Sequence, residues 1–196
     1  MTTISNNWST PIIRDSKIFD DHDTILEAAY DYTGRINNDQ AFASADTGLI
    51  HDPRIDNLKQ WILDISFTAV KQINKDFWER DFRPKFSDLW SWCSNDYYNP
   101  FHGHPNSAWS GIYCLENGES SPDAYNGATL MFSPLPWGSY VDPGIAFVER
   151  TYMQWHILKP GDLVIFPSYI RHSARYSGRS TRSIIAFNLI FPFKQP

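Results

Sequence analysis

From about Phe86 onward the chain is broken into short apolar or aromatic runs by Gly, Pro, Asn and Ser. The runs are Leu89–Trp92, Ser110–Leu115, Ala128–Phe132, Tyr152–Leu158, Asp162–Phe166 and Arg182–Phe191. Runs of this length at this spacing, with turn signals between them, predict the strands of an antiparallel sandwich or barrel. One turn has an evident mechanism. In Lys159-Pro160-Gly161-Asp162 the proline presets φ and the glycine accepts a positive φ. No repeat and no low-complexity tract interrupts the pattern.

The first eighty-odd residues read as helical. Asp23–Tyr30 has an acidic start and a stop near Gly34. Beyond His51-Asp52-Pro53, the residues Ile55, Leu58, Ile62, Ile65, Ala69, Ile73 and Phe77 fall three or four apart. That spacing makes one apolar helix stripe, which packs on a core and carries no chemistry of its own. The expected architecture is mostly β with N-terminal helices. It is a single domain over residues 1–196, with 1–85 as a helical buttress and 86–196 as a jelly roll, or double-stranded β-helix of cupin-like type.

Composition narrows the function classes. Hydrophobic residues make up 42% and charged residues 20% of the 196, which is a folded globular chain. The net charge is -5 and no run of Lys or Arg could track a phosphate backbone, so nucleic acid is not an expected partner. Two cysteines, Cys93 and Cys114, stand in no CxxC pattern, which indicates neither a zinc knuckle nor a disulfide framework. No apolar run approaches membrane-spanning length, and residues 1–8 lack the features of a signal peptide. A cytoplasmic, soluble chain with no membrane partner is expected.

The chemistry-bearing residues are histidines. His102 and His104 flank Gly103 in Asn99-Pro-Phe-His-Gly-His-Pro-Asn106, His172 follows Phe166-Pro-Ser-Tyr-Ile-Arg171, and Arg182 opens the run to Asn188. Positions i and i+2 of a strand share a face, so the paired imidazoles can reach one cavity. Gly103 would let the backbone come close, and Pro105 would end the ladder nearby. Neutral imidazoles hold a metal, and a guanidinium fork holds a carboxylate with two parallel bonds.

His102-Gly-His-Pro-Asn-Ser-Ala-Trp-Ser-Gly-Ile-Tyr113, Pro160-Gly-Asp-Leu-Val-Ile-Phe-Pro-Ser168, His172 and Arg182–Asn188 together resemble the iron(II)- and 2-oxoglutarate-dependent oxygenase superfamily. The narrower likeness is to a subgroup patterned HxHPxSxxSGxYY. It covers roughly residues 88–192 and implies a double-stranded β-helix, with Fe(II) as metal and 2-oxoglutarate as cosubstrate. It implies that His172 is the distal ligand and that Arg182 pairs with the far carboxylate of 2-oxoglutarate, with Arg179 as competitor. Continued alternation would turn Ile184, Ala186 and Asn188 inward.

The near end departs from the superfamily, which carries HxD or HxE. With His102 as first ligand, His104 takes the carboxylate position and the metal ligands are His102, His104 and His172. With His104 as first ligand, Asn106 takes that position. Cys114 stands where the subgroup has a second tyrosine, which leaves Tyr113, Ser110 or Asn188 to help hold the cosubstrate. His156 in Gln154-Trp-His156 reads as a core or surface histidine.

The activity implied is dioxygen-dependent hydroxylation of an unactivated C–H bond in a small amino-acid-like metabolite. Trp92, Trp109 and Trp137 are the substrate-lining candidates, with Trp90 beside them and Leu135–Asp142 as a loop over the barrel mouth. Two rivals stand beside this reading. One is a three-histidine cupin-type dioxygenase without 2-oxoglutarate, and the other is a non-catalytic β-sandwich binding module.

Overall fold

A computed structural model describes residues 3–7, 10–33, 48–73, 83–134 and 153–192. Eight strands and two α-helices are found among them. β1 is Thr3–Asn7, β2 Thr10–Ser16, α1 His22–Tyr32, α2 Asp56–Ile73, β3 Lys85–His102 and β4 Trp109–Asn117. β5 is Thr129–Phe132, β6 Met153–His156, β7 Asp162–Pro167 and β8 His172–Ile190.

The strands run antiparallel in the order β1-β2-β7-β4-β8-β5-β6, with β3 on the free side of β8. Two strands bend the sheet onto itself. Residues 182–190 of β8 lie between β4 and the first half of β3, whereas residues 172–174 lie between β5 and the end of β3. β3 and β8 therefore pass through both layers of a jelly roll. The larger layer is β1-β2-β7-β4-β8-β3 and the smaller is β6-β5-β8-β3.

The larger layer is buried on both faces, which is why its strands read as nearly continuous apolar runs. On β4, Tyr113 and Leu115 face one core while Ile112 and Cys114 face the other. β7 divides Leu163 and Ile165 from Val164 and Phe166, and β8 divides Ile185, Phe187 and Leu189 from Ile184 and Ala186. The first core is closed by Ile25, Ala28 and Ala29 of α1 and by Leu58, Ile62, Ile65 and Ala69 of α2. The second core lies between the layers. Ser91 Oγ ties α1 to β3 by donating to the Ala29 carbonyl at 2.6 Å.

The helical expectation for the first eighty-odd residues needs correction. α1 and α2 lie where the periodicity placed them, but β1 and β2 form a hairpin that adds to the edge of β7. Ile12 and Ile13 are both fully buried, one in each core. Adjacent apolar residues show no alternation, so this strand carries no period-2 signal. The apolar stripe of α2 also ends early, since Ile73 is exposed and Phe77 lies outside the described residues. Gly161 takes φ +89°, as the turn at Lys159–Asp162 requires.

Candidate active site

The three histidines converge. Their ligand nitrogens all lie within 4.8 Å of one another, and Nε2 of His104 is 3.2 Å from Nε2 of His172. Two nitrogens side by side on one ion at about 2.1 Å would sit about 3 Å apart, so the spacing suits a shared metal. His102 ends β3 and His172 opens β8, directly across the ladder from each other. His104 arrives by a different route from the one expected. It lies beyond the strand end, where its backbone N–H donates to the Ser168 carbonyl at 3.0 Å. Gly103 is not forced by crowding, because a Cβ there would meet the Ser168 oxygen only at 3.4 Å.

Backbone carbonyls hold two of the rings. His102 Nδ1 lies 2.6 Å from the Pro100 oxygen and His172 Nδ1 lies 3.0 Å from the Ile170 oxygen. An Nδ1–H donated to a carbonyl leaves the Nε2 lone pair free for a metal. Burial keeps all three imidazoles neutral. It lowers the pKa of His102, draws His104 down to about 4 with help from His102, and draws His172 down to about 3.

Arg182 is 1% exposed and lines the same cavity. Its Nη1 donates to the Tyr97 hydroxyl, while Nε and Nη2 are buried and have no partner. A buried guanidinium with two idle donors is costly unless an anion completes it. A carboxylate of 2-oxoglutarate would supply both bonds, so the residues fit an iron and 2-oxoglutarate site. Trp92 Nε1 and Thr129 Oγ1 are further unpartnered polar atoms on residues of this cavity.

Residues 88–188 match the sequence model of a family described as "Putative 2OG-Fe(II) oxygenase". The chain belongs to this family. The oxygenase also shares its fold with solved structures. HygX from Streptomyces hygroscopicus, with nickel and 2-oxoglutarate bound, superposes with a TM-score of 0.53 at 10% identity, covering 94% of this chain and 84% of that one. A Pseudomonas putida prolyl-4-hydroxylase gives 0.53 at 12%, covering 96% and 90%. AviO1 from Streptomyces viridochromogenes Tue57 gives 0.53 at 14%, covering 95% and 92%. No curated protein sequence matches the chain.

The other expected residues of the oxygenase divide by strand face. Trp90, Trp92, Ser110, Ile184 and Ala186 line the cavity with the histidines. Ser110 and Asn188 are brought together, but beneath His104. Ser110 Oγ donates to Asn188 Oδ1 at 2.7 Å and lies 2.8 Å from Ser168 Oγ, and Asn188 Nδ2 lies 3.4 Å from His104 Nδ1.

Tyr113 is a correction. It occupies an odd position of β4 and faces the helices, where its hydroxyl donates to the Lys17 carbonyl at 2.8 Å among Phe19 and Trp61. Trp109 shares that parity and packs on the helix-side core, away from the cavity. Trp137 and the Leu135–Asp142 loop lie outside the described residues.

Cys114 is a buried apolar residue between the layers, and burial pushes its thiol up to about 12. Arg179 is exposed, within a break in the β3–β8 ladder. His156 stands apart from the triad, and burial with nearby Arg14 draws it to about 4. Tyr97 and Asp88 were not anticipated. Tyr97 touches Arg182, and Asp88 Oδ2 lies 3.3 Å from Asn188 Nδ2. The ladder break at Ser94–Asp96 hides Tyr97 from alternation.

Proposed function

We propose that the oxygenase hydroxylates an unactivated C–H bond of a small amino-acid-like metabolite, with His102, His104 and His172 holding iron and Arg182 holding the far carboxylate of 2-oxoglutarate. The observation that carries this reading is the buried Arg182 with idle Nε and Nη2, sharing a cavity with three converging neutral imidazoles. Iron with 2-oxoglutarate and dioxygen supplies the oxidising chemistry, and the chain supplies binding, orientation and dryness. Arg182 and the Tyr97 hydroxyl would fix the far end of the cosubstrate, and the rings of Trp90, Trp92 and Phe166 would exclude water around the near end.

The reading is tested by succinate formation. Purified oxygenase with Fe(II), dioxygen and 2-oxoglutarate should release succinate, faster in the presence of its substrate from a panel of amino acids and their derivatives. His172→Ala should lose both bound iron and succinate. Oxygen consumption that needs no 2-oxoglutarate would instead favour the three-histidine dioxygenase, a reading that leaves the idle donors of Arg182 unexplained.

A further inference from the structure

Arg182 is not the one side chain of the cavity with idle donors. The indole Nε1 of Trp92 and the hydroxyl of Thr129 are also buried and unpartnered. All three residues line the same cavity, and among the described residues no Asp, Glu or Lys lines it with them. Guanidinium and indole N–H groups donate and never accept, so they cannot satisfy one another. A buried donor left without an acceptor carries its full desolvation penalty. Three such side chains around one cavity call for an acceptor that arrives with a ligand.

Strand register gathers these donors beyond the histidines. Trp92 pairs with Ile184 and Ser94 with Arg182, which makes Trp92 and Arg182 diagonal neighbours on one face of the β3–β8 ladder. Side chains this long reach each other across a diagonal. Both also meet Tyr97. Its ring stands edge-on to Trp92 with centroids 5.6 Å apart, and its hydroxyl accepts from Arg182 Nη1. Thr129 comes from the smaller layer. It pairs with Ala174, two residues along β8 from His172, and Tyr97 pairs with Tyr176, two residues further. At about 3.3 Å per residue, Thr129 stands roughly 7 Å beyond the level of His172, between the histidines and Tyr97.

We propose that Trp92 and Thr129 are specificity-determining residues that join Arg182 in donating to the far carboxylate of the cosubstrate, so that the site takes a 2-oxo diacid in preference to a 2-oxo monoacid of the same length. A carboxylate offers about four lone-pair sites, and the fork of Arg182 fills two of them. The Trp92 N–H and the Thr129 O–H take the rest. Trp92 thereby serves the cosubstrate rather than the substrate. The residues left to flank the carbon chain, Ala174, Ile184 and Ala186, are apolar and suit its methylenes. This inference rests on the reading of the cavity as a 2-oxoglutarate site.

The test is an NMR titration of the full chain loaded with zinc, a diamagnetic stand-in for iron, followed through the indole N–H signals. Two probes are compared. One is 2-oxoglutarate, and the other is 2-oxopentanoate, which keeps the 2-oxo acid end and the five-carbon chain but lacks the far carboxylate. The Trp92 signal is assigned by its loss in Trp92→Phe. 2-Oxoglutarate should move it to lower field, as a new hydrogen bond requires, and 2-oxopentanoate should leave it in place. A signal moved alike by both acids, or by neither while 2-oxoglutarate binds, would overturn the role of Trp92.

Thr129→Val removes the hydroxyl at nearly constant volume. It should weaken 2-oxoglutarate binding about tenfold and leave 2-oxopentanoate binding as it was, and Thr129→Ser should restore the difference. An equal loss for both acids would show a merely structural role and overturn the assignment of Thr129. The cosubstrate reading fails separately. If 2-oxoglutarate does not bind the zinc-loaded wild-type chain, that reading falls and this proposal falls with it.

Discussion

Arg182 is the side chain on which the proposed cosubstrate site turns. A fully buried cation with no carboxylate partner among the described residues is a poor way to stabilise a fold, and a good way to recognise a dianion. Arg182→Ala should raise the 2-oxoglutarate concentration needed for half-maximal succinate formation by an amount corresponding to about 2–5 kcal/mol. Its iron content, measured by colorimetric chelation, should stay the same. Arg179→Ala should leave both unchanged, since that side chain is exposed. Tyr97→Phe removes one hydrogen bond to Arg182 and should cost about 0.5–1.5 kcal/mol of 2-oxoglutarate affinity in the same assay. At this scale the sequence was legible where residue type alone specifies chemistry. Three histidines in this pattern, which converge in the structure, announce a metal. Tyr97 and Asp88 do not, because a phenol or a carboxylate acquires its meaning here only from what it touches.

Strand parity decides which residues reach the cavity. On β8 the alternation is unbroken from Arg182 through Ile184 and Ala186 to Asn188, so those faces could be read in advance. On β4 the same rule sends Tyr113 and Trp109 to the helices, opposite Ser110. Adjacency to a motif had suggested otherwise. β3 defeats simple counting. Register shifts at Ser94–Asp96 and Asn99–His102 carry the cavity-facing set from Trp90 and Trp92 to Tyr97 and Asn99 and back to His102. Packing between elements is equally specific. A Cβ on Gly111 of β4 would fall 2.2 Å from Cζ of buried Phe187 on β8, whose ring stacks edge-on against Phe86. Gly111→Ala should therefore lower stability by about 1–3 kcal/mol, seen as a lower urea midpoint with an unchanged slope.

For the molecule as a whole, the helices and the second β layer clamp one sheet from both sides, and that burial carries a pH signature. His104 and His156 are drawn to about 4 and His172 to about 3, in each case chiefly by burial. Unfolded, the same imidazoles take up protons as pH falls through about 6.5. Between those limits the unfolded chain binds more protons than the folded one, so stability falls as pH drops below about 6.5 and is flat above it. Urea midpoints of the metal-free oxygenase should thus agree at pH 7.5 and 7 and decline at pH 6 and 5. His156→Phe, outside the triad, should make that decline shallower. The β architecture and both helices were legible from period and punctuation. The β1–β2 hairpin was not, because Ile12 and Ile13 serve two cores at once and leave no period to read.

One strand carries both His172 and Arg182, and between them the β3–β8 ladder breaks. Ser177 pairs with Asp96, pairing resumes only at Arg182 with Ser94, and Arg179 and Ser180 in the gap are exposed. A residue gained or lost in that gap need not invert either end of the strand. The histidine end and the arginine end of the proposed site are thereby separable in register, although one continuous backbone joins them. Insertions at residues 178–181 should leave iron content intact. A single residue added at Ala174 would turn His172 out of the cavity and abolish it.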